Sequence, residues 1–198
     1  MNRSKTFSLN SVVKVGILAA FSYILMFIQM PIPIAPPFMK VDLADVPALI
    51  GGFAMGPWYG VLIQLIKNLL NLSKTTTGGV GELSNFIVGA IFVYVSASIY
   101  KNRKTKKTAL FALSMGVIAM TAVATLSNAF VVFPTYAKVM GIELNAFVGM
   151  TGKTNGLVKS YFSLMVLSIA PFNIVKGAVA SIVTDLIYKR VSPIIKYR

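Results

Sequence analysis

Four apolar runs of bilayer-crossing length, near residues 11–30, 84–100, 108–133 and 160–188, constrain this chain more than any motif in it. About 20 residues of helix cross the hydrocarbon core of a membrane. A hydrophobic fraction of 56% and a mean hydropathy of +0.77 exceed what a soluble domain usually carries. The expectation is an all-α integral membrane protein built as a single transmembrane domain over 1–198. The basic start MNRSKTFSLN resembles a signal peptide. The apolar run after it extends to about Met30 without a small-residue cleavage pattern, so it reads as a retained first span.

The segment VPALIGGFAMGPWYGVLIQLIKNLL, within 43–73, fits either one span or two short ones broken at Gly56-Pro57, where proline favours a helix start. Charge placement separates the two. Lysine and arginine gather at Arg3, Lys5 and Lys14, at Lys101, Arg103, Lys104, Lys106 and Lys107, and at Lys189, Arg190, Lys196 and Arg198. Basic residues concentrate in cytoplasmic segments, so all three groups belong on one side and an even number of crossings separates residue 14 from residue 101. The segment therefore goes in and comes back, turning at Gly56-Pro57-Trp58. This predicts a six-transmembrane-helix bundle with N- and C-termini cytoplasmic; a re-entrant hairpin satisfies the same parity. The outward segments are QMPIPIAPPFMKVDLADVP, NLSKTTTGGVGELSN and PTYAKVMGIELNAFVGMTGKTNGLVKS.

A net charge of +14 would suit a nucleic-acid partner, but the basic residues cluster between apolar runs instead of lining one face. No nucleic acid is expected. The chain has no cysteine and no histidine, and its five acids are Asp42, Asp45, Glu82, Glu143 and Asp185. That leaves little material for thiolate, metal or paired-carboxylate chemistry, so neither a catalytic residue nor a metal site is expected. GMTGKTNG looks like the end of a phosphate loop through Gly149, Gly152, Lys153 and Thr154, but it lacks the first glycine and a preceding buried strand. The chain therefore shows no ATPase of its own.

Gly52, Gly56 and Gly60 repeat every four residues, a spacing that lets helices approach closely in lipid, and they are read as internal packing. Gly16 and Ala20 form a similar pair on the first helix. They could pack internally or form a flat docking surface.

The most demanding residue is Lys176, 16 residues after Ser160 and 12 before Tyr188 in the last span. An ionised lysine at that depth costs at least about 2.5 kcal/mol. Asn173 lies on nearly the same helix face, and Pro171 frees a carbonyl one turn earlier. Asp185 is out of phase on the helix and cannot be the partner. Asn128, in the fifth span, is a second polar group whose amide needs an outside partner. Together Asn128, Asn173 and Lys176 suit a flat, mostly apolar molecule with a few hydrogen-bonding edges.

PPFMKVDLADVPALIGGFAMGPWYG, GELSNF, the Asn128 and Pro134 of NAFVVFPTY, and NIVK resemble the riboflavin-specific substrate-binding subunit of energy-coupling factor (ECF) transporters, over nearly the whole chain. The resemblance implies six helices and a plasma-membrane location in a prokaryote. It implies capture of riboflavin from outside, with a transmembrane coupling subunit and two cytosolic ATPases as partners. It further implies that Asn128, Asn173 and Lys176 hydrogen-bond the vitamin, that the loop bearing Glu82 covers the entrance, and that Gly16 and Ala20 are the nearest equivalent of the motif that docks the coupling subunit. No cofactor is expected, riboflavin being the transported substrate. The rival readings are a subunit for another vitamin, a self-sufficient secondary transporter, and an intramembrane lipid enzyme using Glu82 or Lys176 as base. The secondary transporter is disfavoured because only Asp185, near the inner end, places an acid within a span.

Overall fold

The computed structural model describes residues 9–75 and 77–196, with side chains to residue 195. Arg3, Lys5 and Arg198, used in the charge count above, lie outside the described residues, as does the Lys196 side chain. The chain is helical. Helix α1 spans Leu9–Leu25, α2 Asp45–Met55, α3 Pro57–Asn71, α4 Val80–Asn102 and α5 Lys106–Ser127. A π-turn at Asn128–Val132 joins α5 to α6, Phe133–Met140. Next come α7, Leu144–Gly152, and α8, Tyr161–Leu164, which runs through a second π-turn, Met165–Ile169, into α9, Ala170–Lys196. Among the described residues, three continuous helices are long and apolar enough to cross a membrane: Val80–Asn102, Lys106–Met140 and Tyr161–Ile195.

The break at Gly56-Pro57 is where the sequence puts it. Gly56 takes φ +126°, open to glycine but strained for other residues, and Pro57 starts α3, where its missing N–H is not needed. Of the glycine repeat, Gly52 and Gly60 pack internally, whereas Gly56 forms the turn. A Cβ on Gly60 would lie 2.3 Å from Val93 Cγ1 and 2.8 Å from the Ala48 carbonyl oxygen, and one on Gly52 would lie 3.1 Å from both Ala97 and Val93. The absence of side chains at Gly52 and Gly60 thus draws α2, α3 and α4 together. At this end Phe53 stacks on Tyr100 with ring centroids 4.4 Å apart, and Tyr188 closes the cluster edge-on.

Three expectations need correction. The first apolar run is helical only to Leu25, because the chain then turns into a two-stranded hairpin, β1 Met30–Pro31 against β2 Lys40–Val41. The fifth helix does not stop at 133 but continues to Met140, where Gly141 caps it at φ +65°. The segment after it, expected as an outward loop, contains α7. Its GMTGKTNG belongs to the end of that helix and the following turn, so a helix and not a strand leads into it. The hairpin folds back over α6 and α7, placing Phe38 about 6 Å, ring to ring, from Phe133, Tyr136 and Phe147.

Candidate functional site: a polar-walled cavity under the hairpin

At the hairpin end of the bundle lies a cavity of about 600 Å³. Its wall includes Asn128, Asn173, Lys176 and Glu82, together with Phe38, Lys40, Asp42, Asn85 and Phe172. The four side chains singled out from the sequence, which come from α4, the π-turn after α5, and α9, therefore share one chamber.

Two prolines shape its far wall. Pro134 and Pro171 each follow a π-turn by two residues. Proline lacks the N–H that would continue the helix ladder, and a π-turn leaves carbonyls for other donors. The Leu167 carbonyl, one turn before Pro171, accepts from Asn155 Nδ2 at 3.2 Å. The Ala129 carbonyl accepts from the Tyr161 hydroxyl at 2.7 Å. Asn128 is expected to need an outside partner, and the structure gives its Nδ2 a first one within its own helix, the Ala124 carbonyl at 2.7 Å. Asn173 Nδ2 likewise donates to Ile169 at 2.8 Å. Each amide is thus oriented by its own helix, with its oxygen and second N–H not used in that bond.

Lys176 is only 8% exposed, its side chain enclosed by the protein. Protein atoms from three other segments meet this charge. Its Nζ lies 3.6 Å from Asp42 Oδ2 and 3.8 Å from Asp45 Oδ2, and donates to Asn85 Oδ1 at 3.3 Å. Asp185 pairs instead with Lys106, at 4.0 Å. All of the Lys176 distances exceed the 2.7–2.9 Å usual for charge-assisted hydrogen bonds. The carboxylates therefore neutralise the ammonium while leaving room for a shorter contact from the cavity side.

Asp45 was overlooked as a buried acid. It opens α2, is 1% exposed, and accepts from Gln64 Nε2 at 2.8 Å and from Lys67 Nζ at 3.0 Å. Asn85 Nδ2 donates in turn to Asn68 Oδ1 at 3.1 Å, and Asn68 Nδ2 to the Gln64 carbonyl at 2.8 Å. Two lysines and two aspartates thus join α2, α3 and α9 with the stretch before α2 in a charge-balanced network, and Asn85 ties in α4. Its signal was present in VLIQLIKNLL: Gln64, Lys67 and Asn68 sit three and four residues apart, one polar stripe on an apolar helix.

Glu82 lies in the first turn of α4, not on the loop before it. Asn71 Nδ2, Thr75 Oγ1 and Thr77 Oγ1 donate to its carboxylate at 3.1, 2.9 and 3.1 Å. It fastens the loop between α3 and α4 to the cavity rim. Gly16 and Ala20 are elsewhere, on the outward face of α1, and a Cβ on Gly16 would meet nothing within 4 Å.

A membrane-embedded helical bundle with a polar-walled chamber at one end has the design of a solute-binding transport component. The chain belongs to the family of ECF transporter substrate-specific components, whose model matches residues 10–188. It is 35% identical to the riboflavin transporter RibU of Staphylococcus aureus (strain TCH60) over 93% of this chain and 91% of that one. It is 30% identical to the riboflavin transporter FmnP of Bacillus subtilis (strain 168), over 91% of each. Its fold matches the solved S component of a bacterial ECF transporter with a TM-score of 0.75 at 34% identity, covering 94% of this chain and 98% of that one. ThiT from Listeria monocytogenes, at 15% identity and a TM-score of 0.53, shares the fold.

Proposed function

We propose that this chain is the riboflavin-capturing subunit of an ECF-type transporter in a prokaryotic plasma membrane. The observation that carries the reading is the 600 Å³ cavity whose wall gathers Asn128, Asn173, Lys176 and Glu82. Its size falls in the usual range for small-molecule sites, about 300–1,000 Å³. The flat ring of the vitamin would lie among Phe38, Met39, Val132 and Phe172, with Asn128, Asn173 and Lys176 meeting its polar edge and ribityl hydroxyls. The loop held by Glu82 would cover the entrance. Relatives named riboflavin transporters favour this vitamin over others.

Six membrane-inserted helices would form one transmembrane domain with both ends cytoplasmic. At 1.5 Å per residue, α2 with 11 residues and α3 with 15 measure about 16 and 22 Å, shorter than a hydrocarbon core of about 30 Å, so they would enter and return as a wedge. Gly16 and Ala20 would dock a transmembrane coupling subunit, and ATP hydrolysis by two cytosolic partners would drive release. Protein purified in detergent and titrated with riboflavin tests the reading: bound flavin colours the sample yellow and its fluorescence is quenched. A colourless protein that leaves riboflavin fluorescence unchanged at sub-micromolar concentrations would remove it.

A further inference from the structure

The opposite end of the bundle carries a second, different pocket. A cleft of about 220 Å³ opens between the end of α4, the start of α5 and the end of α9. Its floor is aromatic and apolar, formed by Phe53, Tyr100, Tyr188 and Leu113, and its rim carries Lys104, Lys106 and Lys189, all exposed. The only acid among its lining residues is Asp185, which approaches Lys106 no closer than 4.0 Å. Thr184 lines this cleft, and its hydroxyl is fully buried with no hydrogen-bond partner among the described residues. A buried hydroxyl without a partner is costly, and the cleft it lines also carries three lysines and the start of α5, where the backbone dipole favours an anion.

Leu113 and Asp185 line a second depression too, a groove of about 470 Å³ that runs along α5 and α9 past Leu110, Ile118, Ile182 and Leu186. All four of these aliphatic side chains are exposed. A basic cleft and an apolar groove that share two wall residues fit one amphiphile better than a free ion. We propose that this face binds an anionic phospholipid, with its phosphate at Lys104, Lys106, Lys189 and the Thr184 hydroxyl, and an acyl chain in the α5–α9 groove. Basic pockets between membrane helices attract anionic headgroups for this reason. The assignment rests on reading this basic end as lying at a membrane surface, not on the identity of the solute bound at the other end.

Native mass spectrometry of the full chain, released from mixed micelles containing phosphatidylglycerol and phosphatidylcholine, tests it. Phosphatidylglycerol should be retained selectively. The double variant K104Q/K189Q should lose roughly thirtyfold in that affinity, since each basic side chain beside an anionic headgroup is worth about a factor of five. Thr184→Val, which keeps the side-chain shape, should weaken retention about fivefold through loss of one hydrogen bond. Riboflavin quenching measured on the same samples separates the two proposals: selective lipid retention without flavin binding sinks the transport reading alone, and the converse sinks this one alone. Equal retention of both lipids overturns the inference, as does inorganic phosphate displacing phosphatidylglycerol at comparable concentration, or the double variant retaining wild-type selectivity.

Discussion

Two buried lysines share the carboxylate of Asp45, and they sit in opposite surroundings. Lys67 is fully enclosed among α2, α3 and α4, and its Nζ donates to Asp45 at 3.0 Å. Lys176 borders the cavity and stands 3.8 Å from the same carboxylate. The first has satisfied geometry and nowhere to move; the second has neutralising charge without close bonds. The contrast separates an α2–α3 side of the network that is enclosed by the fold from an α9 side that faces the cavity. A buried pair earns its place only when both partners are present, so loss of one partner costs more than loss of both.

The largest effect should come from Lys67→Met. It leaves buried Asp45 with only the Gln64 amide and the more distant Lys176 ammonium, an unbalanced charge that should destabilise the protein by about 3 kcal/mol in a thermal or denaturant melt. The double variant Asp45→Asn/Lys67→Met should recover part of that loss. If the single variant melts like wild type, the closed side has no structural role.

Next is Lys176→Ala, which should weaken riboflavin binding by roughly ten- to a hundredfold, the worth of a hydrogen bond to a charged group, while lowering stability less than Lys67→Met does. Equal stability losses in the two variants would erase the distinction between the two sides.

The packing of the closed side supplies the third comparison. Gly60→Ala forces a methyl group to within 2.8 Å of the Ala48 carbonyl oxygen and should cost about 1–3 kcal/mol. On the outward face of α1, Gly16→Ala meets open space and should leave the melt unchanged or raise it by up to about 1 kcal/mol. A matching loss at Gly16 would mean that its face is packed.

The smallest effects belong to the asparagines. Asn128→Ala and Asn173→Ala should each weaken riboflavin binding about two- to tenfold, read by fluorescence quenching, because each removes neutral hydrogen bonds. Unchanged affinity in both would place the guest elsewhere in the cavity.

The cavity wall was legible in the sequence where polarity interrupts an apolar run. Lys176, Asn173 and Asn128 stand out because each is costly in hydrocarbon, and Pro134 and Pro171 mark the helix irregularities beside them. Asp42 and Asp45 did not stand out, since acids at the edge of an apolar segment read as ordinary loop charge. The stripe of Gln64, Lys67 and Asn68 could have been found by asking which face of α3 these residues share.

Sequence alone determined where the long helices run, that the chain turns at Gly56-Pro57, and that Lys176 required a counter-group. Hydropathy, backbone sterics and the cost of a buried charge are local properties, readable residue by residue. Only the tertiary structure decided that Asp42 and Asp45 supply that counter-charge, that Glu82 ties down its neighbouring loop from a helix, and that the hairpin roofs a cavity. Those outcomes depend on which distant segments meet in space, and a carboxylate carries no mark in the sequence of the lysine it will face.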